Sequence, residues 1–142
     1  MFTIDATDKV DAQRVEFLAQ HVEKNGGKVA CFISQSTPKD LQEYISSKFH
    51  AHIVDIKNPE EIQKWLNTAS TNIGEILAVI HITGNLPEIS KLTELSRKSW
   101  EELTEKFITT PATVAQRALE QFVPGGRDRK STRLNSSHTS IS

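Results

Sequence analysis

Tyr44 and Lys48 have the residue types and the spacing of a pair that could transfer a proton. The stretch Tyr44-Ile-Ser-Ser-Lys48 places them four residues apart, so that both side chains share one face of a helix. A phenol beside an ammonium group is suited to general acid–base work. However, the helix lies between the second and third predicted strands, and a short motif without its structural setting is weak evidence. We therefore predict that Tyr44 packs in the core and that Lys48 is solvated.

The histidines before the C-terminal tail are candidate ligands or proton carriers: His21, His50, His52 and His81. None has the spacing of a zinc site with a nearby carboxylate, so we predict no metal site. His50 and His52 point to one side of a strand, and we interpret them as surface residues. His81 is the best polar candidate, because it lies near the carboxyl end of a predicted strand, where open α/β sheets bind ligands. A half-buried histidine with a satisfied hydrogen bond is the favoured interpretation of His81.

Composition bounds the class of protein. The chain has 142 residues, which suits one domain with a genuine core. Its formal net charge is −1 with both signs interspersed, which argues against a nucleic-acid partner or an anionic membrane. The single cysteine, Cys31, lies in an apolar run, which predicts burial and, without any disulfide framework, a cytoplasmic location. The sequence contains no apolar stretch approaching the roughly 20 residues that span a bilayer, and its start does not resemble a secretory signal.

One apolar run, Glu75–Gly84, organises the predicted fold. It is typical of a strand buried on both faces, and helical patterns on either side place it in the middle of a βαβ array. Three further strands are predicted at Met1–Ile4, Lys28–Ile33 and His52–Ile56. Strand and helix alternate along the chain with short connections. This predicts an α/β fold: a truncated Rossmann-like, doubly wound parallel sheet of about four strands with flanking helices.

The helices are predicted from caps, breakers and apolar stripes. Asn58-Pro59 begins the helix after the third strand, and Ser99 is predicted to cap a long final helix. Pro111 falls inside that final helix, where the missing backbone N–H predicts a kink or a break into two helices. Trp65 and Trp100 are predicted to be packing residues on amphipathic helices.

The C-terminal tail has an unusual composition. Asp128–His138 matches, residue for residue, the translation of a common sequencing-library adapter in one reading frame. We therefore divide the chain into a domain at residues 1–126 and a non-native, disordered tail at residues 127–142. The expectation is that the coding sequence was cut near Gly126, so that the chain is a fragment of a longer protein.

Several phrases of the sequence, in order, resemble one enzyme family. Val79–Gly84, then Leu92-Thr-Glu-Leu95 and Ser99-Trp100, look like the middle of a short-chain dehydrogenase/reductase. Leu119–Pro124 is a loose counterpart of that family's ending of the long helix, and Val54-Asp-Ile56 resembles its third-strand end. The resemblance implies an NAD(P)-binding fold. By family position, the cofactor-binding residues would be Asp55, Ile56, Ile82, Thr83 and Gly84.

The sequence departs from the family pattern at the residues that carry chemistry. The first turn of the family is a glycine-rich phosphate loop, whereas Asp5–Asp11 has no glycine and three carboxylates. Side chains would obstruct the diphosphate and the negative charge would repel it, unless Lys9 compensates. Of the family's Asn-Asn-Ala-Gly phrase only Gly84 remains, and Phe107 falls near the position of its helical Asn. The catalytic Tyr and Lys of the family follow a fifth strand, so no catalytic residue is assigned in this chain.

Three hypotheses follow. The first is a non-catalytic, structural unit of a longer reductase or synthase, with no bound cofactor, which packs against the remainder of its own polypeptide or a neighbouring domain of the same family. The second is the N-terminal half of an active oxidoreductase, which would bind NAD or NADP and whose Tyr and Lys lie in the missing half. The third is a Rossmann module that binds another small ligand at the strand ends. The fragment is expected to be inactive as given, and to self-associate through its unpaired edge.

Overall fold

The computed structural model describes residues 1–86 and 88–122. The strands and helices alternate as predicted, and their bounds are β1 Phe2–Asp5, α1 Lys9–Lys24, β2 Cys31–Ser34, α2 Lys39–Ser46, β3 Ala51–Val54, α3 Pro59–Ile73, β4 Ile80–Thr83, α4 Ile89–Leu92, α5 Arg97–Thr104, a π-helical turn Glu105–Thr109 and α6 Thr110–Phe122. The predicted boundary at Gly126 and the predicted tail at 127–142 lie outside the described residues. So does the end of the phrase Leu119–Pro124.

The four strands form one parallel sheet in the order β3-β2-β1-β4. Thr3 of β1 pairs with Phe32 of β2 on one side and with His81 of β4 on the other. The chain moves outward from β1 to β2 and β3, and α3 then carries it back across the sheet to β4. This reversal places a topological switch point between β1 and β4, where such sheets form a crevice for ligands. The predicted α/β, doubly wound fold is confirmed.

The position and length of β4 differ from the prediction. Within the described sheet β4 is an edge strand, and the ladder begins at Ile80 rather than at Ile76. The reason is that β1 begins at Phe2, which pairs with Ile80; the Met1 ammonium still donates to the Ala78 carbonyl at 2.9 Å, but Ile76 and Leu77 have no strand residue of the described sheet opposite them. Ile76 is still buried, but Leu77 is exposed, and the run is therefore not buried on both faces throughout.

An apolar layer covers each face of the sheet. On one face α1 and α2 pack over alternate strand residues, which include Phe2, Ile4, Cys31 and Ile33. On the other face α3 and α6 pack over Phe32. Cys31 is fully buried, as predicted, and burial raises the pKa of its thiol to about 12. Because strand residues alternate between faces, Thr3, Asp5 and His81 lie on the α3 and α6 side.

The long C-terminal helix changes its hydrogen-bonding pattern where proline was expected to disturb it. Pro111 is the second residue of α6, just after the π-helical turn Glu105–Thr109, and the missing N–H of Pro111 is the one that would bond to the carbonyl of Phe107. The predicted distortion is therefore present as a π-helical turn. The predicted cap is wrong by three residues, because the Ser96 hydroxyl accepts the Ser99 N–H at 3.2 Å and α5 begins after Ser96.

Within residues 1–86 and 88–122, no helix combines the length and the apolar character needed to cross a membrane.

Candidate functional site

The turn between β1 and α1 is closed by its own side chains. Asp8 is the N-cap of α1 and its carboxylate accepts the Asp11 N–H at 3.1 Å. The Asp11 carboxylate reaches back in a capping box, where one oxygen accepts the Thr7 N–H at 2.9 Å and the Asp8 N–H at 3.2 Å. The Thr7 hydroxyl donates to the same oxygen at 3.2 Å. The N–H groups of Thr7 and Asp8, which lead into the helix, and of Asp11 are therefore engaged by carboxylates of the turn itself.

Asp11 is fully buried, so its hydrogen bonds and its ion pair contribute to the stability of the fold. Its second oxygen lies 3.7 Å from the Arg14 guanidinium, which is more than half exposed. A buried carboxylate needs hydrogen-bond donors or a counter-charge, and the turn amides supply most of the donors. The Asp11 carboxylate thus places a negative charge near the α1 N-terminus, as a bound anion does in a phosphate-binding turn.

The end of β4 closes over the same turn. The Gly84 N–H donates to the Asp5 carbonyl at 3.1 Å, and the Asn85 amide donates to the Asp8 carboxylate at 3.3 Å. A Cβ atom placed on Gly84 would lie 2.2 Å from the Thr7 hydroxyl oxygen. Glycine is needed here because the Thr7 side chain fills the space that a Cβ would occupy. The two loops that border the crevice are therefore in direct contact.

A buried polar cluster lies beneath these loops on the α6 side of the sheet. His81 Nδ1 shares a hydrogen bond of 2.7 Å with the Thr3 hydroxyl, and His81 is only 7% exposed. Burial lowers the pKa of His81 to about 4, although the nearby Asp5 opposes the shift. Lys106 of the π-helical turn lies 3.7 Å from the Asp5 carboxylate. His81 is therefore neutral at physiological pH, and it is more deeply buried than predicted.

Serines at the end of β2 extend this cluster toward the surface. The Ser36 hydroxyl donates to the Asp5 carboxylate at 3.3 Å and shares a hydrogen bond of 2.7 Å with Ser34. His81 Nε2 and Thr83 Oγ1 are buried without a hydrogen-bond partner within the described part of the chain. The cluster joins β1 to β2 and to the π-helical turn, so its first effect is structural.

The residues predicted to bind a cofactor form two separate groups. Ile82, Thr83 and Gly84 end β4, whereas Asp55 and Ile56 follow β3 at the other side of the sheet. Two strands lie between the groups, a separation of roughly 14 Å at the usual strand spacing. The assignment of these five residues to a cofactor stays a prediction.

Each group has a structural role of its own. The Asp55 carboxylate accepts the Lys57 N–H at 3.2 Å and so shapes the β3–α3 turn, and Ile56 is buried in the core under α3. Ile82 packs against the core on the α1 and α2 side. The contacts of Asp55, Ile56, Ile82 and Gly84 account for these residue types without a ligand, whereas the buried Thr83 hydroxyl has no partner among the described residues.

Sequence reasoning missed a groove beside the β3–α3 turn. It has a volume of about 440 Å³, and its lining includes Ile56, Pro59, Trp100, Thr104 and Thr109. Trp100 is 48% exposed there, so its predicted role as a packing residue is wrong, whereas Trp65 is buried as predicted. The groove forms where α5 and the π-helical turn pass over the start of α3. A tryptophan among charged neighbours was the one sequence signal that pointed to it.

Tyr44 and Lys48 form a structural cluster on the outside of the sheet. The Tyr44 hydroxyl donates to the Glu16 carboxylate, Lys48 lies 3.6 Å from Glu16, and the ammonium lies 5.2 Å from the centre of the Tyr44 ring. The hydrogen bond to Glu16 raises the pKa of Tyr44, which keeps the phenol protonated. The interpretation of Tyr44 as a packing residue fits its partial burial, and Lys48 is exposed but ion-paired.

Comparison with known proteins identifies the family. A short-chain dehydrogenase/reductase family model, described as Enoyl-(Acyl carrier protein) reductase, matches residues 16–133, well over half of the chain. The chain belongs to the short-chain dehydrogenase/reductase family. No functionally curated protein matches it.

Solved short-chain dehydrogenases/reductases share the fold. A short-chain dehydrogenase/reductase from Serratia marcescens BCRC 10948 superimposes with a TM-score of 0.60 at 16% identity, over 84% of this chain and 49% of that one. A short chain dehydrogenase from Bacillus anthracis str. 'Ames Ancestor' gives a TM-score of 0.60 at 16% identity, over 86% of this chain and 49% of that one. The chain therefore spans about half the length of the solved structures that it matches.

The family usually binds NAD(P), so the β1–α1 turn can be compared with what a dinucleotide needs. A diphosphate at this position is held by free backbone N–H groups and by a close approach that glycine permits. Here the Thr7 and Asp8 N–H groups are bonded to Asp11, and the Thr7 side chain is packed against Gly84. The turn as folded does not fit a dinucleotide diphosphate.

Proposed function

We propose that this chain is a non-catalytic, structural unit of a longer short-chain dehydrogenase/reductase protein, and that it takes up no dinucleotide at its switch point. The observation that carries the proposal is the Asp11 carboxylate, which occupies the Thr7 and Asp8 N–H groups from within the protein. A ligand diphosphate would have to displace a buried carboxylate and leave it without donors, which costs several kcal/mol.

Local charge supports the same conclusion. Asp5, Asp8 and Asp11 lie within one turn, and the potential near the α1 N-terminus is set by them as well as by the helix dipole. Lys106 is already paired with Asp5 and Arg14 with Asp11. Lys9, which sequence reasoning named as a compensating cation, is exposed. An anionic ligand would meet these three carboxylates at close range, where Coulomb repulsion is strongest.

The proposed partner is the remainder of the chain's own polypeptide. Within the described residues β4 pairs only with β1, so its outer edge offers backbone groups to a further strand. Leu77 and Leu86, just before and just after β4, are exposed apolar residues. Since the solved relatives are about twice as long, a fifth strand of the same protein is the occupant that fits this edge. Light scattering should show self-association of the isolated chain, and a monodisperse monomer would contradict the proposal of an unfilled edge.

Dinucleotide uptake is the test of the functional proposal. The chain contains the first mononucleotide-binding half of the fold, so ADP is a fair probe beside NADH and NADPH. Isothermal titration of the purified chain with each of the three should give no saturable heat. Saturable binding of any of them would overturn the proposal and favour the alternative, in which the chain is the N-terminal half of an active oxidoreductase.

A pair of charge-matched variants sharpens that titration. Asp11→Asn removes the buried charge, and Asp40→Asn removes a charge from an exposed site in the first turn of α2. ADP binding that is gained in Asp11→Asn, with none in Asp40→Asn, would identify the Asp11 carboxylate as the group that excludes the diphosphate. An equal gain of ADP binding in both variants would show that overall charge decides.

A further inference from the structure

Two histidines at the edge strand converge on one point. His50 comes directly before β3 and stays in register, because its carbonyl accepts the Cys31 N–H at 3.0 Å. His50 Nε2 lies 3.1 Å and His52 Nε2 lies 3.4 Å from the same atom, Nδ2 of Asn72 near the end of α3. The two rings are nearly perpendicular, at 87°, and their centres are 4.9 Å apart.

This geometry points two imidazole lone pairs at a shared position. An asparagine Nδ2 is only a donor, so each Nε2 that faces it acts as an acceptor. Unprotonated imidazole nitrogens that converge on one point are what a transition-metal ion requires. A half-turn of the Asn72 amide would replace Nδ2 by Oδ1, since the two atoms are interchangeable by rotation, and would bring an oxygen ligand to the same place.

The surroundings hold the pair in place and leave room beside it. The His52 ring stacks on Phe32 at 5.3 Å between centres, and Phe32 in turn stacks on the buried Trp65. An open cavity of about 530 Å³ adjoins the site, and its lining includes His50, Asn72, the acidic Glu23 and the basic Lys28. Water molecules can therefore complete a coordination shell that the protein supplies only in part.

We propose that His50, His52 and Asn72 form a site for an exchangeable divalent transition-metal ion that prefers imidazole, with Cu²⁺ held more tightly than Zn²⁺. No group of three or more His, Cys, Asp or Glu side chains is placed to hold a metal within residues 1–86 and 88–122. The proposed site differs because its third protein ligand is an amide oxygen. This revises the sequence-based prediction of no metal site. A bound ion would join β3 to the end of α3 and stabilise the folded state.

The probe is Cu²⁺ added to the full 142-residue chain, prepared without a polyhistidine tag. Calorimetry should give one saturable site per chain, and the paramagnetic resonance spectrum should show splitting by two imidazole nitrogens. His50→Gln and His52→Gln, made separately, should each weaken binding by at least about tenfold. His21→Gln removes an exposed histidine on α1 and should leave binding unchanged.

The role of Asn72 as the third ligand is tested by replacing it with a stronger ligand. Asn72→Asp offers a carboxylate at the same position and should tighten Cu²⁺ binding by about tenfold, a size typical of changes around a metal ligand. If Asn72→Asp left the affinity for Cu²⁺ unchanged, Asn72 would not be a ligand of the metal. An absence of saturable binding in the unmodified chain, or retention of full affinity by both His50→Gln and His52→Gln, would overturn the proposal.

Discussion

The β1–α1 and β3–α3 turns are built alike but leave their helix N-termini in opposite states. Asp8 caps α1 and Asn58 caps α3, each through a side-chain oxygen that accepts a backbone N–H. At α1 the third helical residue, Asp11, folds back and occupies the Thr7 and Asp8 N–H groups. At α3 the cap is neutral and Pro59, the first helical residue, has no N–H to offer. One turn is closed by an internal anion, whereas the other opens onto a groove.

Under the proposed function, the comparison teaches that a phosphate-binding fold can lose its ligand site without any change of topology. The sheet order and the parallel ladders of the family are intact. The difference lies at the start of α1, where the Asp11 carboxylate, not a ligand, interacts with the helix dipole and accepts the Thr7 and Asp8 N–H groups. A single inward carboxylate is sufficient for this purpose. The following changes should break or sharpen the contrast between the two turns, and they are given in order of decreasing expected effect.

Removal of the Asp11 carboxylate should have the largest effect. Asp11→Ala removes a fully buried carboxylate and leaves the partly buried Thr7 and Asp8 N–H groups and the Thr7 hydroxyl without their acceptor, and we expect a loss of about 3 kcal/mol or more in unfolding free energy. Asp11→Asn keeps an acceptor oxygen and should cost much less. Denaturant unfolding measures both, and an equal loss in the two variants would contradict a role for the turn hydrogen bonds.

Acid should weaken the cluster beneath the closed turn. The pKa of His81 is lowered to about 4 in the folded state, against an ordinary value of 6.5, because the imidazole is buried. The unfolded chain therefore binds the proton more readily, and this contribution is fully present above pH 6.5 and is lost as the pH falls toward 4. The expected loss is about 3 kcal/mol between these two pH values.

His81→Asn is the control for this pH effect. Asparagine does not titrate, and its amide can keep a hydrogen bond to the Thr3 hydroxyl. Unfolding free energies of the two proteins should diverge as the pH rises from 4 to 6.5. Parallel pH profiles would show that His81 is not the titrating group.

Gly84→Ala should separate the β1–α1 turn from the loop that follows β4. The added Cβ would collide with Thr7, and such overpacking costs about 2 kcal/mol. Thr7→Ala relieves part of the collision, so the double variant should lose less stability than the two single variants together. Strict additivity in this double-mutant cycle would contradict the contact between the β1 and β4 loops.

A change in the β3–α3 turn should cost the least unfolding free energy. Asn58→Ala removes the side-chain acceptor of the Glu60 N–H at the start of α3, and the usual cost of losing such a cap is about 1 kcal/mol. The N–H groups at this turn reach solvent more readily than those beneath Asp11, which limits the penalty. A loss as large as that of Asp11→Ala in thermal unfolding would remove the contrast between the two turns.

The alternation of apolar runs and helical stripes was enough to predict the parallel α/β sheet. The position of β4 at the edge of the sheet that the described residues form was not predictable from its apolar character, because strand order depends on which helix crosses the sheet. The acidic Asp5–Asp11 stretch was interpreted as unlike a phosphate loop because of its side chains and its negative charge, without any account of its own hydrogen bonds. Its Asp8-x-x-Asp11 spacing was a local signal of a capping box that the prediction did not use.

The sites that sequence reasoning missed depend on tertiary packing. The groove beside Trp100 exists because α5 and the π-helical turn cross the start of α3. His50 and His52 were placed correctly on one side of a strand, but Asn72, on which they converge, is some twenty residues further along the chain. Contacts of this kind leave no periodic pattern in a single sequence.

The most direct test of the account follows the Thr7 and Asp8 amide resonances in a ¹⁵N–¹H correlation spectrum while NADH is added. If the Asp11 carboxylate holds these two N–H groups, as the 2.9 Å and 3.2 Å hydrogen bonds indicate, both signals should keep their positions up to millimolar NADH. Saturable shifts centred on Thr7 and Asp8 would mean that a dinucleotide displaces Asp11, and would contradict the account.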